Sequence, residues 1–398
     1  MNIRDFIKNN IVYLDGGMGT LLQKSGLQPG ELPERWNISH PEVIKEIHKS
    51  YYDSGSNIVN TNTFGANSLK FDTDELSEII YHAVKNADEA RKASSGKQEK
   101  FIALDVGPTG KLLKPLGDLD FEDAVKAFAE VISLGVKYGV DLITIETMND
   151  SYETKAAVLA AKENSDLPII VTNAYGENGR LMTGADPAVM AAMLEGMGVD
   201  AIGVNCSLGP KELYPVVEKL CKWTNLPVVV KPNAGLPDPE TNLYNVTATQ
   251  FADFMKDLRK YGIKIFGGCC GTNPEFIKEL SEMLKREGNP AAPHKYIPGA
   301  VCSATSTVVI DEPRIIGERI NPTGKKLFKE ALLRHDMDYI LGQALEQISG
   351  GADILDVNVG LPGIDEREMM IDTIKSLQAV VDVPLQIDST IPDPAGLR

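Results

Sequence analysis

The sequence predicts an α/β protein: a (β/α)8 TIM barrel followed by the incomplete start of a second barrel-like unit. Three observations lead there. Short β-branched runs alternate with longer amphipathic stretches from the first residues onward. Eight such alternations fall within about 290 residues, the count and length of a closed barrel of eight parallel strands. After a stretch rich in proline and glycine the alternation restarts, and three further strands are expected before Arg398.

The eight strand candidates are 11–15, 57–63, 101–106, 142–147, 168–173, 201–206, 227–231 and 263–267. Runs such as Leu142-Ile143-Thr144-Ile145 are apolar on both faces, as strands of a sheet covered on both sides must be. Between the strands, 41–54, 74–93, 121–138 and 247–261 read as helices. In the second of these, Leu76, Ile79, Ile80, Ala83, Val84 and Ala87 recur at three- and four-residue steps, which builds one apolar face. Alternating strands and helices imply parallel strands joined by crossover helices. A doubly wound open sheet would want a GxGxxG turn, and Asp15-Gly16-Gly17-Met18-Gly19-Thr20 does not have that spacing.

Residues 286–300 carry Pro290, Pro293, Pro298, Gly288 and Gly299, a composition that stops helices. The expected organisation is therefore a barrel over 1–287, a Pro-rich linker over 288–312 and a second region over 313–398. In that region 314–317, 354–359 and 385–388 read as strands, and 339–349 and 366–380 as helices. A second barrel needs roughly 200 residues. The region is accordingly expected to be truncated, or to need something else over its open sheet edge.

Composition narrows the function. With 43% hydrophobic and 24% charged residues the chain is that of an ordinary globular protein. A net charge of −16 disfavours phosphate backbones, so no nucleic acid partner is expected. No run of about 18 apolar residues suggests a membrane span, and the mixed-charge Met1-Asn2-Ile3-Arg4-Asp5 lacks a signal core, so a cytoplasmic location is expected.

The strand ends carry the chemistry. In order they present Asp15, Asn60 and Asn62, Asp105, Glu146, Asn173, Asn205 and Cys206, Lys231 and Asn233, then Cys269 and Cys270. Barrel enzymes work at this face. Cys206 closes the sixth strand, and Cys269 and Cys270 follow the eighth in Gly267-Gly268-Cys269-Cys270-Gly271-Thr272. Three thiolates with an open fourth position suit catalytic zinc. Adjacent residues of a regular strand point to opposite faces, so the flanking glycines are expected to kink the chain and let both cysteines face one ion. Such a centre is a poor source of hydroxide but removes the proton from an incoming thiol, which fits alkyl transfer to sulfur. Cys221, Cys302 and the five histidines (His40, His48, His82, His294, His335) read as packing or surface residues.

These motifs resemble the homocysteine S-methyltransferase family over about residues 1–290. The segments 317–324 (Gly-Glu-Arg-Ile-Asn-Pro-Thr-Gly) and 356–360 (Asp-Val-Asn-Val-Gly) resemble the opening of the pterin-binding barrel of cobalamin-dependent methionine synthases. Betaine-dependent relatives lack that second domain. The resemblance implies that Cys206, Cys269 and Cys270 hold zinc, which activates the homocysteine thiolate. It also implies that Asp15 and Glu146 place the substrate's amino group, with the backbone of Gly17, Gly19 and Thr20 near its carboxylate. Asn173 and Asn205 would add neutral hydrogen bonds on the same rim. Asn321, Asn358 and Asp388, assisted by Glu318, would bind the pterin of methyltetrahydrofolate. The implied donor is methylcobalamin, recharged from methyltetrahydrofolate; no DxHxxG signature occurs, so a corrinoid-binding domain or protein would have to bring it. Two other readings are a homocysteine methyltransferase using S-methylmethionine or betaine, and a non-catalytic corrinoid- or folate-binding subunit with a structural metal.

Overall fold

The computed structural model describes residues 3–237, 244–288, 290 and 295–391; Pro293 and His294 lie outside them. The chain forms two compact units, Met1–Ile297 and Pro298–Arg398. Among the described residues no helix is long and apolar enough to cross a membrane.

The first unit is the eight-stranded barrel. Its strands are β1 (Val12–Tyr13), β2 (Ile58–Asn60), β3 (Phe101–Val106), β4 (Leu142–Met148), β5 (Ile169–Asn173), β6 (Ala201–Asn205), β7 (Val228–Lys231) and β8 (Ile265–Phe266). All are parallel, and they run in sequence order around the sheet, with β1 beside β8. The ring closes between β1 and β2 through a parallel bridge of Leu14 to Ile58 and a bond from the Asn57 N–H to the Tyr13 carbonyl, 2.6 Å. β1 and β8 have two residues each, shorter than expected. Asp15 and Gly267 lie just past their ends, where Gly268 N–H donates to the Asp15 carbonyl.

Strand parity determines what fills the barrel. Val12, Leu14, Ile58, Phe101, Ala103, Leu142, Ile170, Ala201, Val229 and Ile265 form one buried apolar cluster. Two or four residues further along the same strands, on the same side by the period of two, stand Asn60, Asp105, Glu146, Asn205 and Lys231. The interior thus changes from hydrocarbon to charge toward the carboxyl ends. Helix Ile3–Asn9, which the sequence reading does not anticipate, sets Ile3, Phe6 and Ile7 into the apolar end of the cluster.

The outer helices include Pro41–Asp53, Thr73–Ala93, Phe121–Tyr138 and Ala248–Asp257. Their starts are written locally. Asp72 accepts from the Glu75 N–H, and Thr247 with Gln250 forms a reciprocal capping box. Helix Phe121–Tyr138 ends at Gly139, whose φ of 93° suits a residue without a side chain.

The second unit opens with a hairpin, β9 (Ala300–Cys302) against antiparallel β10 (Thr307–Val309). Part of the stretch read as extended linker, including Cys302, is therefore paired. A parallel sheet follows in the order β11 (Ile316–Ile320), β12 (Ile354–Val357), β13 (Leu385–Ile387). β11 starts two residues later than expected because Arg314 is held in the preceding corner by the Val309 carbonyl and Asp311. Ile320, Phe328, Leu332, Ile340, Leu355, Val357, Met369 and Leu377 make this unit's own core. Phe328 and Leu332 come from helix Lys326–Leu333, which the sequence reading also misses.

Candidate active site

Cys206, Cys269 and Cys270 come together at the carboxyl ends of β6 and β8. Their sulfurs all lie within 4.8 Å of one another, and Cys206 Sγ is 3.8 Å from Cys270 Sγ. Thiolates sharing a tetrahedral ion at about 2.3 Å would stand about 3.8 Å apart, so the set fits zinc with one position left for a further ligand.

The backbone builds this convergence from both strands. Cys206 and the following Ser207 both have φ of 57°, a left-handed turn that no glycine supplies. Cys206 N–H donates to the Lys231 carbonyl at 3.1 Å and Cys269 N–H to the Pro232 carbonyl at 2.8 Å. Cys270 N–H donates to Asn233 Oδ1, 3.1 Å, and the Ala234 N–H returns to the Cys270 carbonyl, 2.9 Å. The loop after β7 therefore holds the ligand backbones of both neighbours. Of the flanking glycines only Gly271 is left-handed, at φ 80°. Gly267 and Gly268 matter for space instead. A Cβ at Gly268 would stand 2.8 Å from Thr272 Cβ, and one at Gly267 would stand 3.0 Å from the Asp15 carbonyl. The expected kink thus comes from Gly271 and Cys206, while Gly267 and Gly268 permit close packing.

Thiols this close cannot all ionise. Hydrogen bonds from Cys206 and Cys269 pull the Cys270 thiol down to about 3, while hydrogen bonds with Cys206 and Cys270, together with burial, hold Cys269 well above an ordinary thiol.

Beside the sulfurs lies a buried charge cluster. Lys231 Nζ is 2.6 Å from Glu146 Oε2 and 3.8 Å from Asp15 Oδ1, and is only 2% exposed. Asn60 donates its side-chain N–H to the same Glu146 oxygen at 2.9 Å and its backbone N–H to Asp15 Oδ2 at 2.7 Å. Burial opposes the Lys231 charge, but Glu146 and Asp15 outweigh it and raise its pKa above the ordinary value. Burial pushes Asp15 up to about 7 and, with Glu146 nearby, drives Asp105 well above the carboxylate range. Asp15 Oδ1 and Asp105 Oδ1 are buried without a hydrogen-bond partner among the described residues. Three carboxyls against one lysine, with two acceptor atoms open, suit a cationic ligand.

The remaining candidates divide. Asn205 bonds Thr147 and reaches toward Cys269. Asn173 donates to the Met148 carbonyl, 3.3 Å, and to Thr154 Oγ1, 3.1 Å, which ties β5 to the helix after β4. Gly17 caps helix Met18–Lys24; its N–H donates to Thr272 Oγ1 and its carbonyl accepts from the Tyr51 hydroxyl, both at 3.2 Å. Thr272 also bonds the Cys269 carbonyl, 2.7 Å, so the glycine turn and the metal loop are joined. Gly19 and Thr20 lie in the first turn of that helix, where amides lack intrahelical acceptors. In the second unit Asn358 donates to Asp388 Oδ2 at 2.9 Å, and Asn321 to Glu318 Oε1 at 3.2 Å. Asp356 is raised by burial and by the nearby Asp388 and Glu318, which places it on the same rim.

Sequence reasoning places Asn60, Asp105 and Lys231 on the working rim without a specific role, and assigns none to Thr272 or Tyr51. Lys231 and Asp105 carry a usable signal, a charged residue at an inward position directly after apolar ones. Tyr51 carries none, since its partner is 34 positions away, and the Thr272 bond to Gly17 spans 255 positions.

Family models match segments of both units. Residues 12–284 match the family model described as homocysteine S-methyltransferase, and residues 317–396 match that described as pterin binding enzyme. The chain is 29% identical over 415 residues to a methionine synthase of Mycobacterium leprae (strain TN), covering 98% of this chain and 34% of the relative. It is 28% identical over 410 residues to a methionine synthase of Mycobacterium tuberculosis (strain ATCC 25618 / H37Rv), with the same coverages. The chain thus spans about a third of the length of these relatives. Among solved structures, the metallated form of the homocysteine methyltransferase MmuM from Escherichia coli superposes with a TM-score of 0.62 at 23% identity. The match covers 71% of this chain and 100% of that one, a likeness of fold.

Proposed function

The chain belongs to the homocysteine S-methyltransferase family, and from that premise we propose that it transfers a methyl group to the thiolate of homocysteine, forming methionine. The observation that carries this is the meeting of three thiol sulfurs, within 4.8 Å of one another, beside buried carboxyl oxygens that have no hydrogen-bond partner among the described residues. Cys206, Cys269 and Cys270 would hold zinc. When bound, that ion lowers the pKa of the incoming thiol and keeps it as thiolate.

The protein's own groups place the rest of the substrate. Asp15 and Glu146 face the α-ammonium, and Lys231 with Asn60 keeps Glu146 in position. The first-turn amides of Gly19 and Thr20 suit the α-carboxylate, while Gly17 anchors that turn through Thr272. A substrate held at both ends presents its sulfur in one direction, so a lone pair attacks the methyl carbon in line as the bond to the donor breaks.

The donor in this reading is methylcobalamin, carried by a corrinoid-binding domain or protein. Methyltetrahydrofolate would supply its methyl group, and Glu318, Asn321, Asn358 and Asp388 of the second unit would offer the pterin hydrogen-bonding groups. The match to a pterin-binding model supports this choice over S-methylmethionine or betaine. The test supplies the zinc-loaded chain with homocysteine and each donor in turn. Methionine should form with methylcobalamin; formation only with S-methylmethionine or betaine would overturn the donor, and none with any donor the activity.

A further inference from the structure

The end of β4 holds a residue in an unusual conformation. Thr147 has φ of 61°. A β-branched side chain is crowded in the left-handed region, and such conformations persist only where the surroundings hold them. Thr147 directly follows Glu146, and the pairing of β4 with β5 shifts register there, between Ile145 and Met148.

Asn205 engages both the backbone N–H and the hydroxyl of Thr147. Asn205 Oδ1 accepts the Thr147 N–H at 2.8 Å, and Asn205 Nδ2 donates to Thr147 Oγ1 at 2.7 Å. A backbone N–H can only donate, so the atom facing it must be the amide oxygen, and the NH2 group is fixed on the other side. That same nitrogen lies 4.0 Å from Cys269 Sγ. Asn205 is fully buried, so water does not compete for these bonds. It immediately precedes Cys206.

We propose that Asn205 is a positioning residue that couples the carboxylate pocket to the thiol cluster: its amide holds the bend after Glu146 and presents its remaining N–H to the Cys269 sulfur. This inference rests on the metal reading above and gives Asn205 a role through its neighbours rather than on the substrate. A donor beside a ligand sulfur fixes its direction and spreads its charge, and partners of this kind change metal affinity about 10- to 100-fold.

Two substitutions separate the halves of the role. Asn205→Asp keeps an oxygen for the Thr147 N–H and can accept from its hydroxyl, but sets a negative atom beside the Cys269 sulfur. Thr147→Gly removes the crowding, so the bend no longer needs a clamp. The experiment loads the full chain with Co(II) as a spectroscopic probe, measures zinc affinity against a competing chelator, and titrates homocysteine by calorimetry. Asn205→Asp should weaken zinc about 10- to 100-fold and shift the thiolate-to-cobalt charge-transfer band. Asn205→Ala should lose homocysteine affinity and the wild-type band, and Asn205→Ala/Thr147→Gly should regain the affinity without regaining the band. If Asn205→Ala does not fold, recovery of folding in the double variant is the same rescue. Wild-type zinc affinity and cobalt spectrum in Asn205→Asp, or a double variant no better than Asn205→Ala, would overturn the proposal. A wild-type chain that takes zinc but not homocysteine would contradict the functional reading instead, and the metal comparison would still test Asn205.

Discussion

Lys231 shows how strongly one side chain is committed. It is 2% exposed and its ammonium sits 2.6 Å from Glu146. Removing one partner of a buried pair leaves the other charged and unsolvated, at about 3–5 kcal/mol. Lys231→Met should lower stability by about that amount in urea denaturation, and Lys231→Met/Glu146→Gln should recover most of it; equal losses in both would show that the pair is not what matters. His48 gives a pH signature. Its ring is fully buried, neither nitrogen has a partner among the described residues, and burial lowers its pKa from 6.5 to about 4. The unfolded chain therefore binds more protons between pH 4 and 6.5, so this contribution is fully present above about 6.5 and is lost as pH falls toward 4. A shift of that size corresponds to about 3 kcal/mol at the low end. Asp15, raised to about 7, has the opposite sign, because the folded state keeps its proton and stability falls as pH rises toward 7. Comparing wild type with His48→Leu cancels the Asp15 contribution. The stability difference should grow against wild type from pH 7 to 4, and a pH-independent difference would contradict the assignment.

Among the elements, the barrel strands depend on close approach as much as on side-chain burial. A Cβ at Gly203, in β6, would lie 2.7 Å from Val229 Cβ and closer still to the Val229 carbonyl of β7. Gly203→Ala should thus force β6 from β7 and displace Cys206, which ends the same run Gly203-Val204-Asn205-Cys206. The expected readout is a lower melting temperature together with weaker zinc binding, and unchanged values of both would refute it. The central strands β3 to β7 were legible because each is an apolar run that stops at a polar residue, and long helices such as Thr73–Ala93 because their apolar residues repeat at the helical period. Strands β1 and β8, with two residues each, carry too short a pattern to delimit, and helix Ile3–Asn9 owes its place to packing on the barrel's apolar end. The three metal-binding candidates could be read from cysteines after strands on glycine-rich turns. The bends at Thr147 and Cys206 could not, because a positive φ on a residue with a side chain leaves no mark in sequence. Nor could the link from Gly17 through Thr272 to Cys269, which joins residues 255 positions apart.

For the whole molecule, the chain divides into two units with separate cores, and the proposed function gives each its own ligand. The barrel brings sulfur ligands and buried carboxyls to one rim, and the second unit sets Glu318, Asn321, Asn358 and Asp388 on strand ends of its own three-stranded sheet. Every strand of both parallel sheets delivers polar groups at its carboxyl end, so the same chain rule serves both sites. At the barrel site, three protein sulfurs within 4.8 Å of one another would leave room for a fourth from homocysteine. X-ray absorption at the zinc edge of the full chain, with and without homocysteine, tests this directly. Three sulfur neighbours are expected in the free protein and four when homocysteine is added, the new one at the distance of a bound thiolate, about 2.3 Å. A sulfur count that stays the same on adding homocysteine, or that is below three in the free protein, would contradict the proposed site.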